Sequence, residues 1–510
     1  MHHAPAARRQ TIEMIRFFIF SKEELDGHGI FLDSLVVEVK QPTEDTVADN
    51  LLRTFLSTLE ALRWAVTRPG FTNLLVLSIG WVLDPGAVTQ ALVATGVAAQ
   101  WHHERFHRFF SRGTWAPDRL GYLVFKLIIA LLDPVAAVRI AIDDTLASKK
   151  GNQVFGISSH LDAVRSTKRR KVFCFGHCWV VLAVLVPLPF SNRAWALPVL
   201  FRLYRGKKAC PAEDYAKKTE MARELLHLLV EWAGDRHVDL ATDSAYCNET
   251  VMHGLPESVT LFGSMRPDAV LTAPPEPSPS RKKKSGRPPK RGVTLPKPSQ
   301  MANDGLPWQT CSATLYGKVR KVYYKECIAQ WYRASGERLL RIVIVRVEHG
   351  LIPIRVFFCT DTTLSACQIL EVYARRWGIE VCFRDLKQLF GFAESSARMK
   401  AAVLGTAPFI GLLYSLLVVW FAQHVHESPL ATPPRRPWYR HKRGLSFADI
   451  LRTARRVLAP LDVVALVKAI EARPAPNLAG VLDPSHDIAN LTKSMAAPVA
   501  PSVERLRLAG

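Results

Sequence analysis

The segment VRIAIDDT (138–145) gives the first indication of the fold, because it is a short apolar run that ends in acidic residues. A second segment of this kind, HVDLATD (237–243), follows a stretch rich in Val, Leu and aromatic residues, FCFGHCWVVLAVLVPLPF (173–190). Between these last two segments, apolar residues recur at helical spacing, which predicts a helix at roughly 212–234. The order strand, strand, helix, strand predicts an α/β core.

Segments of different character surround this core. Residues 51–137 have apolar side chains at spacings of three and four, which predicts a small helical domain. Residues 1–50 show no clear period and are interpreted as a variable N-terminal arm. Residues 271–300 form a Pro-rich linker that is too basic to pack a core, and residues 313–361 alternate like antiparallel strands.

The composition indicates a folded protein with an anionic partner. The 510 residues carry 67 Lys and Arg against 45 Asp and Glu, a formal net charge of +22, so nucleic acid is the first candidate. Apolar residues make up 48% of the chain, which excludes a mainly disordered protein. Nine cysteines without regular spacing do not indicate a disulfide scaffold and favour a reducing cytoplasm.

One apolar segment requires a decision about membranes. Residues 401–422 contain no charge and are long enough to cross a bilayer. They also contain Gly405, Pro408 and Gly411, and they follow directly on a charged helix. We therefore predict a buried core helix and no membrane partner.

Three acids form the candidate catalytic constellation. Asp143 or Asp144 ends one strand, Asp243 ends another, and Glu380 lies in a predicted helix. Acids at strand ends converge on one edge of an α/β sheet, where divalent cations are needed to offset their repulsion. Carboxylate oxygens suit Mg²⁺ or Mn²⁺, and two such ions support phosphodiester displacement.

The predicted helix LEVYARRWGIEVCFRDLKQLFGF (370–392) places further polar residues beside Glu380. Spacings of three and four align them on one helical stripe, where Arg and Lys could clamp phosphates. A salt-bridged, solvated helix face remains the alternative interpretation of these charges. The residues of the stripe are Tyr373, Arg376, Glu380, Arg384 and Lys387.

The pattern Y-x₂-R-x₃-E-x₆-K, from Tyr373 to Lys387, resembles the signature of DDE transposases of bacterial insertion sequences. AIDDT and ATDSAY look like the family's two Asp-bearing strands, and the resemblance covers roughly residues 50–425. The family pattern is commonly D-x-T, which favours Asp143 over Asp144 and leaves Asp144 as the alternative.

The resemblance implies a fold and a division of the chain. The expected fold is an RNase H-like mixed sheet flanked by helices, interrupted by a β-rich insertion and preceded by a helical DNA-binding domain. The expected parts are the arm at 1–50, the helical domain at 51–137, the core at 138–262 and 362–425, the insertion at 263–361 and a basic C-terminal tail at 426–510.

The resemblance also implies an activity, cut-and-paste DNA transposition. Asp143, Asp243 and Glu380 would bind two Mg²⁺ ions, with Mn²⁺ possible, while water cuts the element end and the freed 3′-hydroxyl attacks target DNA. Tyr373, Arg376 and Lys387 would contact the DNA end. The partners would be double-stranded DNA, as terminal inverted repeats and target, and a second protomer in a bacterial cytoplasm.

Other motifs leave alternatives open. His103-Glu104-x-x-His107 matches a zinc protease motif, which makes a metalloprotease one alternative. A catalytically inactive DNA-binding protein derived from a transposase is another. In the linker, Arg287, Lys290 and Arg291 resemble the core of an AT-hook, a minor-groove binder, although a plain cationic linker fits equally well.

Overall fold

The computed structural model describes residues 45–472, except for 152, 163–164, 168, 276–288, 348–353, 434–436 and 439–443. Five helices precede the first strand, and Thr67 caps the second by accepting a hydrogen bond from the Gly70 amide. These helices are α1 (Asp45–Glu60), α2 (Arg68–Leu83), α3 (Val88–Ala94), α4 (Glu104–Ser111) and α5 (Pro117–Ile129).

Ten strands form one mixed sheet in the order β2-β3-β1-β5-β6-β10-β9-β8-β7, with β4 also paired to β3. The strands of the first half are β1 (Val138–Ser148), β2 (Ser158–Leu161), β3 (Phe173–Val186), β4 (Trp195–Tyr204), β5 (Val238–Thr242) and β6 (Val259–Met265). Those of the second half are β7 (Gln309–Leu315), β8 (Lys318–Gln330), β9 (Leu339–Val347) and β10 (Arg355–Cys359).

The centre of the sheet has the strand order of an RNase H-like core. Strands β4, β3 and β1 pair antiparallel, and β5 and β6 then continue the sheet parallel to β1. Parallel pairs are stable only when both faces are covered, which explains the nearly continuous apolar sequences of these strands. The α/β class predicted from the sequence, a mixed sheet flanked by helices, is confirmed.

A proline shapes the outer strand of this core. Pro198 lies within β4, and the register between β3 and β4 shifts between Leu182 and Ala183, opposite this proline. Proline cannot donate to the ladder, so it is tolerated at such an irregularity. The hydroxyl of Ser415 donates to the Pro198 carbonyl at 2.8 Å, which ties the following core helix to the strand.

Nine helices of the described chain follow the first strand. They are α6 (Lys218–Ala233), α7 (Glu249–Met252), α8 (Pro298–Met301), α9 (Tyr332–Ser335), α10 (Ala366–Arg375), α11 (Trp377–Leu389), α12 (Lys400–Trp420), α13 (Phe447–Leu458) and α14 (Val463–Ala472). Short 3₁₀ turns lie at Arg63–Ala65, Val97–Ala99, Ala212–Asp214 and Pro429–Ala431, and a π-helical turn, Phe421–Val425, extends α12.

The apolar helix α12 packs inside the protein. It contacts β4 and the helices α4 and α5, and nearly all its residues from Val403 onward are buried. The span Lys400–Val425 is long and apolar enough to cross a membrane, and 94% of its most apolar window is buried within the described protein. This burial agrees with the predicted core helix.

The predicted insertion shares the sheet of the catalytic core. β10 pairs antiparallel with β6, and β9, β8 and β7 continue outward from it. The predicted boundary at 262/263 falls inside β6. The first part of segment 313–361, predicted as antiparallel strands, belongs to the hairpin of β7 and β8. Its turn lies at Tyr316-Gly317, both with positive φ. A disulfide joins Cys311 of β7 to Cys367 of α10.

The predicted helix at 370–392 also differs from the structure. Two helices, α10 and α11, meet at Arg376, which ends the first and caps the second. Similarly, the helix predicted from about 212 begins only at Lys218, after a 3₁₀ turn. Propensity and spacing do not reveal such a junction, because each half keeps its own apolar stripe.

Candidate active site

The strand register brings Asp143 and Asp243 together. β1 and β5 are parallel neighbours, and their last paired residues are Ile142 and Thr242. Asp143, still within β1, and Asp243, directly after β5, are the next residues, so the two acids lie side by side at the carboxyl end of the pairing, where strands are spaced about 4.8 Å apart. The apolar runs that precede them, buried on both faces, fix this register.

The environment of Asp143 disfavours its negative charge. Burial and the nearby charge of Asp243 raise the pKa of Asp143, the Arg376 guanidinium acts in the opposite direction, and the net pKa is about 7. A carboxylate in this state binds any added positive charge favourably. The arrangement is therefore suited to holding a cation.

Arg376, at the junction of α10 and α11, links the acids of strand and helix. Its Nη1 donates to Asp143 Oδ2 at 3.0 Å, and its Nη2 donates to Glu380 Oε1 at 2.7 Å. The guanidinium lies 5.6 Å from the centre of the Tyr373 ring, and the Arg376 side chain is only 12% exposed. The side-chain fork thus supplies a positive charge between Asp143 and Glu380.

Asp144 faces away from this constellation. Its carboxylate accepts hydrogen bonds from Lys218 Nζ at 2.8 Å, from the Tyr246 hydroxyl at 2.9 Å and from Cys178 Sγ at 3.3 Å. Burial alone would raise the pKa of Asp144, but the charge of Lys218 and these hydrogen bonds outweigh it and lower the pKa. Three donors thus stabilise the Asp144 carboxylate and direct it away from Asp143.

The Asp144 contacts fix the turn that carries Asp243. In this turn the Ala245 amide donates to Asp243 Oδ1 and the Tyr246 amide to the Asp243 carbonyl. Since the Tyr246 hydroxyl reaches Asp144, the strand of one acid is tied to the loop of the other. Neither Tyr246 nor Lys218 is among the site residues predicted from the sequence. The sequence feature that could have indicated Tyr246 is its position three residues after Asp243.

The other predicted DNA-contact residues are distributed differently. Tyr373 packs near Arg376 and donates to Ser264 Oγ at 3.2 Å. Arg384 pairs with Asp385 at 2.8 Å and is half exposed. Lys387 is half-buried, and burial lowers its pKa while the charges of Asp162 and Asp144 act against that change.

Of the predicted stripe, Tyr373 and Glu380 therefore contact Arg376, which in turn contacts Asp143, whereas Lys387 lies on the Asp144 side. In the insertion, Lys290 pairs with Glu337, and the Arg291 guanidinium lies 5.5 Å from the centre of the Tyr332 ring. Arg287 lies outside the described residues.

The three predicted metal ligands are not assembled as a metal site. Within the described ranges, no group of three or more His, Cys, Asp or Glu is close enough to hold an ion. The reason at Asp143 and Glu380 is the Arg376 guanidinium between them. The donor set itself fits a hard divalent cation, because carboxylate oxygens are its preferred ligands and positive charge already stabilises them.

The H-E-x-x-H segment lies at the start of α4. The rings of His103 and His107 are 5.5 Å apart, but Glu104 is hydrogen bonded to Arg108. Burial, and then the charge of His103, lower the pKa of His107. The described part of the chain provides no third ligand for this pair.

The sequence around the two aspartates matches a known family. A family model described as DDE superfamily endonuclease matches residues 62–320, just over half of the 510 residues. The match includes Asp143 and Asp243 and ends before the Glu380 helix. No protein with a curated function matches the sequence.

Among solved structures, one similar chain comes from the cryo-EM structure of a piggyBac transposase synaptic complex with hairpin DNA. It has 10% sequence identity and a TM-score of 0.37, and the alignment covers 91% of this chain and 89% of that one.

Proposed function

Because this chain belongs to the DDE superfamily of endonucleases, we propose that it is a transposase that moves an insertion sequence by cutting and joining double-stranded DNA. One observation carries the proposal: the register places Asp143 beside Asp243, and Arg376 links Asp143 to Glu380. Asp143 and Asp243 both lie within the residues that the family model matches. The contacts of Arg376 extend the site to Glu380, on a helix beyond that match.

The catalytic roles follow from this arrangement. Asp143, Asp243 and Glu380 would hold the divalent ions that endonucleases of this superfamily generally use, and we propose Mg²⁺, with Mn²⁺ as a substitute. Bound there, two ions would lower the pKa of the attacking water and stabilise the leaving 3′-oxygen. The raised pKa of Asp143, about 7, means that its carboxylate favours added positive charge.

Arg376 and its neighbours would bind the DNA end. When the carboxylates have another cation, the Arg376 fork is free to contact a phosphate with two parallel hydrogen bonds. The Tyr373 ring packs near the guanidinium and helps to hold it in place. The net charge of +22 favours binding to the DNA backbone. We propose as further phosphate contacts Arg384, Lys387, Lys290, Arg291 and Arg287.

Asp144, in contrast, is proposed as a positioning residue. Its three hydrogen bonds join the β1 strand, helix α6 and the Asp243 turn. We assign the catalytic role to Asp143 because the Asp144 carboxylate is taken up by Lys218 and Tyr246.

The test is a cleavage assay on the DNA that flanks the coding sequence. A labelled duplex carrying these flanks is incubated with the protein and Mg²⁺, with and without EDTA. We expect cuts at the ends of inverted repeats and loss of at least about 1000-fold in rate for Glu380→Gln. Glu249→Gln is the matched control, since its side chain is 73% exposed.

Two outcomes would contradict the proposal. Cleavage that persists in Glu380→Gln would remove this residue from the site. Tight binding of the flanking DNA without cleavage in either Mg²⁺ or Mn²⁺ would instead identify an inactive DNA-binding derivative.

The assembly and location complete the proposal. We propose that two protomers hold the two element ends and that the protein works at the nucleoid in a bacterial cytoplasm. Light scattering of the protein with one terminal-repeat duplex per protomer should give the mass of a 2:2 complex, and a 1:1 mass would contradict the dimer.

A further inference from the structure

A group of basic and aromatic side chains lies on the insertion, away from the carboxylates. We call Trp308, Lys321, Tyr323 and Arg346 the basic-aromatic patch. Lys321 and Tyr323 lie two residues apart on β8, so they point to the same side of the strand. Arg346 of β9 lies directly opposite Tyr323 in the register. The three side chains therefore share one face of the sheet. Trp308 directly precedes β7 and contacts the same face through Arg346.

The opposite face of these strands is buried. Val322, Val343 and Val345 pack with Ile369 and Leu370 of α10 in a separate apolar cluster. Because side chains alternate across a strand, this packing turns the patch outward. Lys321 and Arg346 are exposed, and Trp308 and Tyr323 are half-buried.

The rings hold the cations in place. The Arg346 guanidinium lies 4.7 Å from the centre of the Trp308 ring and 5.7 Å from that of Tyr323, and Lys321 Nζ lies 5.2 Å from the Tyr323 centre. Such contacts restrict long side chains at little cost to their charge. Within the described chain neither cation has a carboxylate partner.

The neighbouring charges are satisfied inside the protein. Lys325, also 5.1 Å from the Trp308 ring, is buried and pairs with Asp304 and the Met301 carbonyl. Glu326 alternates to the other face and pairs with Arg341. Within the described residues, the pairs of Asp304 with Lys325 and of Glu326 with Arg341 therefore leave the charges of Lys321 and Arg346 unneutralised.

We propose that the basic-aromatic patch binds phosphates of the DNA duplex flanking the cleavage site, an inference that rests on the proposed function. Charge complementarity selects an anionic backbone, and the sheet joins the patch to the catalytic strands through β9, β10 and β6. Since cations already lie against the Trp308 and Tyr323 rings, the patch contacts phosphates and does not stack bases.

The experiment measures how salt weakens binding to a fluorescein-labelled duplex of mixed sequence, in EDTA so that no cleavage occurs. Removing one cation that neutralises a phosphate should reduce the log–log salt slope by about 0.9. We expect this reduction for Arg346→Gln and about twice it for the Lys321→Gln/Arg346→Gln double variant. Arg266→Gln is the control, because Arg266 is 80% exposed and already pairs with Asp268.

An unchanged slope in the double variant would overturn the proposal. So would a loss confined to a single-stranded oligonucleotide, which would indicate base stacking. Thermal unfolding of each variant checks that the fold is kept. If the wild type cleaves element ends but the double variant keeps the wild-type slope, only the role of the patch is refuted. If the double variant has a reduced slope but the wild type cleaves no DNA, only the proposed function is refuted.

Discussion

Adjacent aspartates with opposite surroundings make the sharpest test at the residue scale. Asp143→Asn should abolish cleavage while leaving the fold intact, because its carboxylate is costly to ionise in this site. Asp144→Asn should instead destabilise the protein by about 1–2 kcal/mol, since Lys218 and Tyr246 lose an ionised acceptor. Urea unfolding and the cleavage assay separate the two effects. Equal loss of cleavage with equal stability would contradict these assignments.

Arg376 competes with metal for the same carboxylates. Without DNA, Arg376→Gln should bind Mn²⁺ about 10-fold more tightly than the wild type, because no guanidinium needs to leave Asp143 and Glu380. The rate of DNA cleavage by Arg376→Gln should fall, because glutamine lacks the charged guanidinium that donates two hydrogen bonds to a phosphate. Titration calorimetry measures the affinity directly. Arg384→Gln, whose partner is Asp385, should bind metal like the wild type, and weaker metal binding by Arg376→Gln would contradict the competition.

His177 should make the stability of the fold sensitive to acid. Burial lowers the pKa of His177 to about 4, from 6.5 for a free side chain. Between pH 4 and pH 6.5, His177 is therefore protonated in the unfolded chain but not in the folded one. The free energy of unfolding falls as the pH is lowered through this range. The loss is at most about 3 kcal/mol.

The measurement is urea unfolding across this pH range. His177→Gln should show a shallower decline than the wild type, since glutamine can still donate to the Phe155 carbonyl but does not titrate. His227→Gln, exposed on α6, is the control and should decline like the wild type. An unchanged decline in His177→Gln would rule out this residue as the source.

At the scale of elements, a glycine sets how closely α11 approaches the sheet. A Cβ at Gly378 would lie 2.9 Å from the Ala194 carbonyl oxygen, so Gly378→Ala must displace the helix that carries Glu380. A displacement of about 1 Å costs roughly 100-fold in rate. We expect such a loss with only a small drop in melting temperature.

Gly206→Ala is the matched control, because its nearest neighbour would be 3.6 Å away. Cleavage assays on both variants decide the matter. Full activity in Gly378→Ala would show that the helix position tolerates the shift.

Elements also show what the sequence can and cannot predict. The strands that carry Asp143 and precede Asp243 follow from their apolar runs, although β1 continues past the predicted end at Asp143 or Asp144 to Ser148, because its pairing with β3 extends that far. The buried helix α12 follows from its uncharged length. The break at Arg376 and the hairpin turn at Tyr316-Gly317 do not, because the spacing of apolar residues marks neither of them: each helix keeps its own apolar stripe, and both strands alternate. The Asp144–Lys218 pair spans 74 residues, so only the folded chain reveals it.

At the scale of the whole molecule, one apolar core joins distant parts of the chain. It runs from Leu51 in α1 to Ile470 in α14 and includes the central strands. Phe55, in edge contact with Trp420 at 5.3 Å between ring centres, connects the N-terminal helices to α12. The described protein should therefore unfold as a unit.

Calorimetry tests this expectation. Phe55→Ala should lower the temperature of a single transition, at a cost of about 3–5 kcal/mol. Val93→Ala, which is 71% exposed in the wild type, should not shift it. Two resolved transitions, of which only one moves, would show that the N-terminal helices fold separately.

The shared sheet has a geometric consequence for DNA. From β5, which presents Asp243, to β8, which presents Tyr323, the order passes through β6, β10 and β9. Four strand spacings amount to about 19 Å, close to the length of five or six base pairs along a duplex. A continuous ladder of backbone hydrogen bonds keeps this separation constant. The sheet would act as a ruler, fixing how many base pairs separate the cut from the contacted phosphates.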